Sequence, residues 1–278
     1  MLRRVQLLRT PFNELTLTGS CWSRFFARSA QKDPAESPSA PVPFITLIPT
    51  LHVASVKFYD KLLDYMVQAV KERDNLVILL EGICDTEESE VQQMEEYFAI
   101  AHNQNLKTEM LQKADQNTLY DEETIKTICE ELAVNYGALV KLQATVRLQE
   151  CYLKPKMAAL VGSHLRNDAD LNMNEVAAIL AEKGSSGSVS VPFSRLGADP
   201  AVRGSRERKV AKAAQMRCVE WLQRGCGGEV LLPWGFYHAE GIRKNILATN
   251  SQDETVVFLE SDDKVCRLPF GISKELLA

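Results

Sequence analysis

Four side chains with the chemistry of metal ligands stand directly after apolar runs of strand length. They are His52, Glu81, His238 and Glu260. Imidazoles and carboxylates are ligands that Zn²⁺ and Mn²⁺ accept, and a catalytic site takes about three from the protein and leaves one position for water. We predict these four as candidate ligands of a divalent metal, zinc or manganese, with Glu81 alternatively acting as a catalytic general base. The competing interpretation is that each histidine caps a helix or bonds a buried carbonyl.

The elements that carry the first two side chains have the pattern strand, helix, strand. The apolar run Phe44 to Ile48 is bounded by Pro49, and Ser55 is placed to cap a helix with an apolar stripe at helical spacing. A second apolar run, Leu76 to Leu80, ends in Glu81. Such a unit predicts two parallel strands joined by a right-handed crossover. Side chains just past the ends of both strands then open on one edge of the sheet.

The C-terminal part of the chain repeats this order. Glu229 to Trp234 has the pattern of a strand, Ala239 to Ala248 that of a short helix, and Thr255 to Leu259 that of a β-branched strand. The segments LIPTLHVA and LPWGFYHA each place a histidine a few residues after the strand, which indicates a weak internal duplication. We therefore predict an α/β fold: a mixed sheet built from two related strand-helix-strand half-units, N- and C-terminal, with a mostly helical middle segment. If all four strands share this sheet, Glu81 and the two histidines converge in one cleft.

The residues around these strand ends also carry a family pattern. The matching stretches are Thr50-Leu51-His52-Val53-Ala54-Ser55, Leu80-Glu81-Gly82, Gly235-Phe236-Tyr237-His238 and Gly241-Ile242. Two G-x-x-H-like motifs, with an E-G after the second strand, resemble the TraB/PrgY family and its GumN and TIKI relatives. The resemblance covers roughly Ile45 to Glu260 and is strong in the two end segments.

The resemblance implies an α/β fold with a cleft between two related halves and, in the TIKI branch, a metal-dependent peptidase activity. TraB and GumN proteins also carry an arginine near the start of the helix before the second motif, and Arg208 is the candidate there, able to hold a carboxylate or phosphate. Its neighbours Arg203, Arg206 and Lys209 leave the register open, and a solvated basic turn is the alternative. The chain departs from the family pattern at Pro49, which stands where the first motif has glycine. A proline there fixes φ and removes an N–H group.

The first 31 residues have the composition of a targeting segment. They contain five arginines and a single acidic residue, Glu14, with leucines that can form an apolar face. This composition predicts a mitochondrial transit peptide over residues 1–31, followed by a disordered Pro/Ser/Ala linker over 32–42 and a TraB-like α/β domain over 43–278. The expected location is therefore the mitochondrion, in the matrix. A disordered basic tail is the alternative interpretation of the first segment.

The composition of the whole chain limits the function classes. The formal net charge is −5, and the basic start makes the remainder more acidic still, which argues against general nucleic-acid binding. No run approaches the roughly 20 apolar residues that a membrane-spanning helix needs, so we expect a soluble protein without a transmembrane segment. The seven cysteines form no C-x-x-C pair, which fits a reducing compartment. Cys84, near the predicted site, fits a buried structural thiol better than a nucleophile.

Two functions follow from these observations. In the first, the protein is a mitochondrial metal-dependent hydrolase, of peptidase or esterase type, that acts on a peptide or small-molecule substrate, with Glu81 and Arg208 as candidate catalytic residues. In the second, it is a catalytically degenerate TraB-like fold that serves as a structural or interaction component of a mitochondrial complex and binds protein partners. Pro49 favours the second function, whereas the two histidines and Glu81 favour the first.

Overall fold

A computed structural model describes residues 20–29, 42–85, 87–116, 121–123, 125–126, 137, 146–182, 199–248, 256–261 and 267–268. Of the linker predicted over 32–42, only the last residue falls within these ranges. Among the described residues, no helix combines the length and the apolar character that crossing a membrane requires.

Strands and helices alternate along much of this chain. The strands are β1 (Ser20–Cys21), β2 (Ser23–Ser29), β3 (Phe44–Thr50), β4 (Val53–Ser55), β5 (Leu76–Leu79), β6 (Val146–Leu148), β7 (Leu165–Arg166), β8 (Glu229–Gly235), β9 (Val256–Glu260) and β10 (Arg267–Leu268). The α-helices are α1 (Val56–Glu72), α2 (Glu87–His102), α3 (Gln104–Gln116), α4 (Lys154–Val161), α5 (Met173–Glu182), α6 (Pro200–Gln223) and α7 (Phe236–Ala248). A π-helical turn, Gln149–Leu153, leads into α4. The predicted cap Ser55 accepts a hydrogen bond from Phe58 N at 3.2 Å at the start of α1.

A six-stranded mixed sheet forms the centre of the fold, in the order β7-β5-β8-β3-β2-β9. Neighbours among β7, β5, β8 and β3 are parallel, while β2 runs antiparallel to both β3 and β9. The four strands predicted from the sequence therefore share one sheet, and the predicted α/β fold is confirmed. The two half-units interlock rather than lie side by side, because β8 is inserted between β3 and β5.

Helices cover both faces of the sheet, and the alternation of side chains along each strand divides the core between them. On one face, Ile48, Ile78 and Leu231 pack against α1. On the opposite face, Leu47 and Trp234 pack against α6 and α7. The chain therefore leaves β3 over one face of the sheet and leaves β8 over the other.

Strand β2 lies within the segment predicted as a transit peptide. It pairs with β3 on one side and with β9 on the other, and its Phe25 is 0% exposed. Trp22 packs against Tyr65 with ring centroids 4.6 Å apart, and Arg24 donates a hydrogen bond to the Tyr65 hydroxyl at 3.1 Å. Residues 20–29 are thus an integral part of the sheet. A targeting segment is compatible with this fold only if it ends before Ser20.

A buried carboxylate fixes the amino-terminal ends of the two central strands. Glu229, 0% exposed at the start of β8, accepts hydrogen bonds from Thr46 Oγ1 and from the Tyr65 hydroxyl at 2.6 Å each, and from Arg73 Nε at 3.2 Å. Burial, followed by the charge of Glu229, raises the pKa of Tyr65 to about 12. One ionised group therefore satisfies donors from β3 and α1 and holds both elements against β8.

Deleting residues 1–19 should leave the fold intact, whereas deleting residues 1–31 should unfold it. Only the longer deletion removes β2, which leaves β3 and β9 without their common partner and uncovers their apolar contacts. Thermal denaturation followed by circular dichroism compares the two truncated chains with the full-length protein. A native-like cooperative transition in the chain that begins at residue 32 would contradict the place of β2 in the sheet.

Alkaline pH should destabilise the folded state through Tyr65. Because the pKa of Tyr65 is raised from 10.0 to about 12 on folding, its stabilising effect is complete below pH 10 and is lost as the pH rises toward 12. Between about pH 8 and about pH 11 the loss amounts to about 1.4 kcal/mol. Tyr65→Phe should show a smaller loss over the same interval, measured by urea denaturation. Equal losses in the variant and the wild-type protein would refute this role, because other tyrosines titrate alike in both.

Candidate functional site

The connections of the sheet diverge at β3 and β8, whose carboxyl ends lie side by side. From β3 the chain proceeds over one face toward β5, and from β8 it proceeds over the other face toward β9. In open α/β sheets this arrangement leaves a crevice outside the strand ends, where binding and catalytic sites are found. Thr50 and Gly235 are register partners at these ends, so the crevice begins at this pair.

Glu81 reaches from the end of β5 to the end of β8. Its Oε2 accepts a hydrogen bond from the backbone N–H of Gly235, and its side chain is 10% exposed. A Cβ atom at position 235 would lie 3.0 Å from that oxygen, so glycine allows the carboxylate to approach the backbone. The E-G motif and the second G-x-x-H-like motif therefore meet in space through this contact.

Arg206 of α6 lies beside Glu81 and is fixed by Asp170, which follows β7. Its Nε donates to Asp170 Oδ1 at 2.8 Å and its Nη2 to Oδ2 at 2.6 Å, while Nη2 lies 3.5 Å from Glu81 Oε1. Burial alone would lower the pKa of the guanidinium, but the hydrogen bonds and charge of Asp170, with the charge of Glu81, raise the Arg206 pKa above its ordinary value. The guanidinium is therefore a permanent positive charge within the cluster.

The direction of the hydrogen bonds fixes the tautomer of His238, which lies in the first turn of α7. Its Nε2 is 3.1 Å from Arg206 Nη1, and because a guanidinium only donates, Nε2 is an acceptor without a proton. Nδ1 then carries the proton and donates to Glu207 Oε1 at 3.2 Å. Glu81 Oε1, 3.5 Å from Nε2, is held near the imidazole by Arg206 rather than by a hydrogen bond to it. The imidazole also packs against Trp234 with ring centroids 5.5 Å apart.

The position of the Glu207 carboxylate requires a second glycine, Gly241. A Cβ atom at position 241 would lie 1.8 Å from Glu207 Oε2, a distance at which no side chain fits. Gly241, one turn after His238, therefore lets α6 approach α7 closely enough for Glu207 to accept the Nδ1 proton. We define the buried cluster as the five side chains Glu81, Asp170, Arg206, Glu207 and His238.

Two of the four predicted metal ligands lie in the buried cluster. Glu81 and His238 are brought together as expected, whereas His52 is exposed. The His52 carbonyl accepts hydrogen bonds from Gln149 N at 2.8 Å and from the Tyr59 hydroxyl at 3.1 Å, but no described residue bonds its imidazole. β8 continues directly into α7, whereas the short strand β4, which pairs with β6, separates β3 from α1 and turns His52 toward solvent.

Glu260 and Arg208 also lie apart from the buried cluster. Glu260, at the end of β9, accepts from Arg243 Nε at 3.0 Å and pairs with its Nη2 at 2.6 Å. Arg208 is exposed and donates to Ser205 Oγ at 2.9 Å. Both side chains therefore have surface partners instead of the roles that the sequence predicts for them.

The sequence did contain a signal for the arginine that enters the buried cluster. α6 buries Val202, Arg206 and Val210 at intervals of four residues. That helical spacing selects Arg206 rather than Arg208 for the core-facing stripe.

Asp170 had no comparable signal. It stands two residues before Asn172, whose Oδ1 accepts from Glu175 N at 2.9 Å and so caps the start of α5. From the sequence, the whole stretch has the pattern of a helix cap, and the ion pair with α6 arises only from the tertiary fold.

A polar cavity of about 90 Å³ opens beside the buried cluster, and Glu81 belongs to both. The other polar side chains of its lining are Cys84, Gln93, Tyr97, Lys154 and Asn167. Burial, followed by the charges of Glu90 and Asp170, raises the pKa of the Cys84 thiol, which agrees with a structural rather than a nucleophilic cysteine. Glu81 therefore lies between the buried cluster and a cavity whose other polar side chains are neutral or cationic.

The buried cluster as arranged does not fit a divalent metal. The Arg206 guanidinium lies 3.5 Å from Glu81 Oε1 and 3.1 Å from His238 Nε2, so a cation between those two ligands would meet a fixed positive charge. The lone pair of Nε2 that a metal needs already accepts a hydrogen bond. Within the part of the chain that the structure describes, no three His, Cys, Asp or Glu side chains form a group that could hold a metal ion.

Comparison of the chain with protein-family models, with curated proteins and with solved structures finds no match. The resemblance to TraB/PrgY proteins therefore rests on the sequence motifs alone.

Proposed function

We propose that this chain is a hydrolase of amide or ester bonds in which Glu81 acts as the general base. One observation carries the proposal: Glu81, whose carboxylate is fixed by the Gly235 N–H and by Arg206, also lines a polar cavity with room for water. A general base must lie within hydrogen-bond reach of the proton that it removes. The motifs that resemble the TraB/PrgY family include Glu81 and His238, which supports the same reaction class.

The proposed reaction uses one carboxylate in two steps. Glu81 takes a proton from a water molecule in the cavity while the water oxygen bonds to the carbonyl carbon of the substrate. The resulting tetrahedral intermediate breaks its bond to the amine or alcohol, and the leaving group receives that proton from Glu81. A carboxylic acid is released and the carboxylate of Glu81 is regenerated.

The remaining members of the buried cluster act through Glu81 as positioning residues. Asp170 holds Arg206 with two hydrogen bonds, and the guanidinium then limits the rotation of Glu81 by its charge. His238 accepts a hydrogen bond from Arg206 at Nε2 and donates its Nδ1–H to Glu207, so these two residues fix the imidazole beside Glu81. A base that is oriented before the substrate arrives loses little entropy in the reaction.

The metal-dependent form of this hydrolase stays a prediction from the sequence, because Arg206 would have to leave its place for a cation to reach Glu81 and His238. The mitochondrial location is part of the proposal too. It is supported by the basic composition of the residues that precede Ser20, where Arg3, Arg4 and Arg9 lie.

A structural role in a mitochondrial complex is the second candidate function. It is favoured by the completeness of the buried cluster, in which Asp170, Arg206 and His238 satisfy one another without a ligand. Such a network also serves to fix the packing of helices on a sheet. The proline at position 49 and the exposed His52 are consistent with this role as well.

Glu81→Gln should lower kcat/KM by about 10²- to 10⁴-fold on chromogenic peptide or ester substrates, the range that a general base contributes. The substitution keeps the size of the side chain and an oxygen for the Gly235 N–H but removes the proton acceptor. Glu109→Gln, which neutralises an exposed carboxylate on α3, is the matched control and should leave activity unchanged. Circular dichroism and thermal denaturation verify that each variant is folded.

Three outcomes would change the proposal. Equal activity of the Glu81→Gln variant and the wild-type protein would overturn the role of Glu81. A folded wild-type protein that hydrolyses no substrate of the panel would favour the structural role. Activity that chelators remove, together with stoichiometric metal that His238→Ala abolishes, would establish the metal-dependent form instead.

A further inference from the structure

We propose that Lys154 and Tyr97 bind the carbonyl oxygen of the substrate in the cavity beside Glu81 and stabilise the negative charge that develops on it. The inference rests on the proposed hydrolase function. A general base activates the water but does not polarise the carbonyl, so a second group must bind the carbonyl oxygen. Hydrolysis of an acyl compound needs donors aimed at the oxygen on which charge develops. Two side chains of the cavity have that chemistry and are placed for it.

The ammonium group of Lys154 lies beside Gly82, the residue that follows the proposed base Glu81. Its Nζ lies 3.9 Å from the position that a Cβ atom at Gly82 would occupy, and its side chain is 26% exposed. One of its three N–H donors is taken by Glu150 Oε1 at 2.8 Å. The described residues accept no other hydrogen bond from this ammonium, so two donors are available to the cavity.

The backbone before Lys154 has an unusual conformation that fixes its position. The Lys154 N–H donates to the carbonyl of Gln149, five residues back, which closes the π-helical turn before α4. Single π-helical turns are rare and occur frequently at functional sites. Lys156, by contrast, is engaged by Asp115 at 2.9 Å and by the Tyr152 hydroxyl at 3.0 Å. Lys154, the first residue after the π turn, is therefore the lysine that lines the cavity, whereas Lys156 is held by structural partners.

Tyr97, on α2, contributes a neutral donor. Burial, followed by the charge of Glu150, raises the pKa of its phenol to about 12, so the hydroxyl keeps its proton throughout the neutral range. No hydrogen bond to this hydroxyl occurs among the described residues. The amide of Asn167 has no such freedom, because its Nδ2 already donates to Gln93 Oε1 and to the Glu90 carbonyl at 3.1 Å each.

The size of the cavity indicates the chemical class of the substrate. About 90 Å³ is several times the roughly 10–15 Å³ that one water molecule requires. The space holds the attacking water and a carbonyl with a small acyl group, while the leaving group stays outside. The expected substrates are therefore amides or esters of short acyl groups.

Chemical labelling of Cys84 tests the inference without any turnover of a substrate. Cys84 lines the cavity, and the charge of Lys154 lowers the pKa of its thiol against the larger effect of burial. Iodoacetamide labelling of Cys84, quantified by peptide mass spectrometry on the full chain, should be slowed by acetate, whose carboxylate stands in for the oxygens of the intermediate. Lys154→Met should abolish this protection and, without acetate, slow labelling, because the charge of Lys154 lowers the pKa of the Cys84 thiol. Glu150→Gln should strengthen the protection, because it removes the competing carboxylate.

Lys113→Met is the matched control, because Lys113 forms the same kind of exposed ion pair with Glu109 four residues away, at 2.6 Å. It should leave both labelling and protection unchanged. Equal protection by acetate in the Lys154→Met variant and the wild-type protein, or no protection in the wild-type protein, would overturn the inference.

Kinetics separate this inference from the function on which it rests. Lys154→Met should lower kcat about 10²- to 10³-fold, the effect of losing one oxyanion donor, with a smaller loss for Tyr97→Phe. If Glu81→Gln abolishes turnover while Lys154→Met leaves kcat unchanged, the inference fails and the hydrolase function stands. If the wild-type protein turns over no substrate, the hydrolase function fails, and the acetate protection of Cys84 alone decides whether Lys154 binds an anionic oxygen.

Discussion

The buried ion pair between Arg206 and Asp170 is the interaction on which the site depends. The two side chains are 7% and 0% exposed, and taking both charges out of water is costly unless the geometry repays it. Two parallel charge-assisted hydrogen bonds provide that geometry. Removing one partner from such a pair typically costs about 3–5 kcal/mol, because the other charge is left buried alone. The pair holds Arg206 beside both Glu81 and His238, so loss of the pair would change the surroundings of both side chains.

The parallel strands β3, β5 and β8 were predictable because each is buried on both faces and so has an apolar run. Strand β7 has only two residues, too few to carry any pattern. Strand β2 was hidden for a different reason: its sequence, SRFFARS, places two arginines among apolar residues, which is also the composition of a targeting segment. Its burial comes from β3 and β9, which are distant in sequence, so no local composition could distinguish the two interpretations.

The candidate site was predictable where a side chain follows its strand without interruption. Glu81 and His238 meet this condition, and the neighbouring positions of β5 and β8 in the sheet bring their strand ends together. His52 does not, because the pairing of β4 with β6 depends on a strand more than ninety residues away. The metal prediction depended on residue types, and those types are present in the buried cluster. The position between them is taken by a guanidinium from α6, which only the tertiary fold could place there.

Strand order explains why the two half-units are unequal in spite of their similar sequences. Strand β5 is the immediate neighbour of β8, so Glu81 at the end of the first unit reaches Gly235 in the second. Strand β9 is separated from β3 by β2, and the register places Glu260 opposite Phe25 and Phe25 opposite Ile45, so the end of the second unit lies level with the start of β3 and far from His52. Glu260 therefore turns to Arg243 of its own unit. By inserting between β3 and β9, β2 breaks the symmetry that the duplication suggests, and the buried cluster forms at the end of β8.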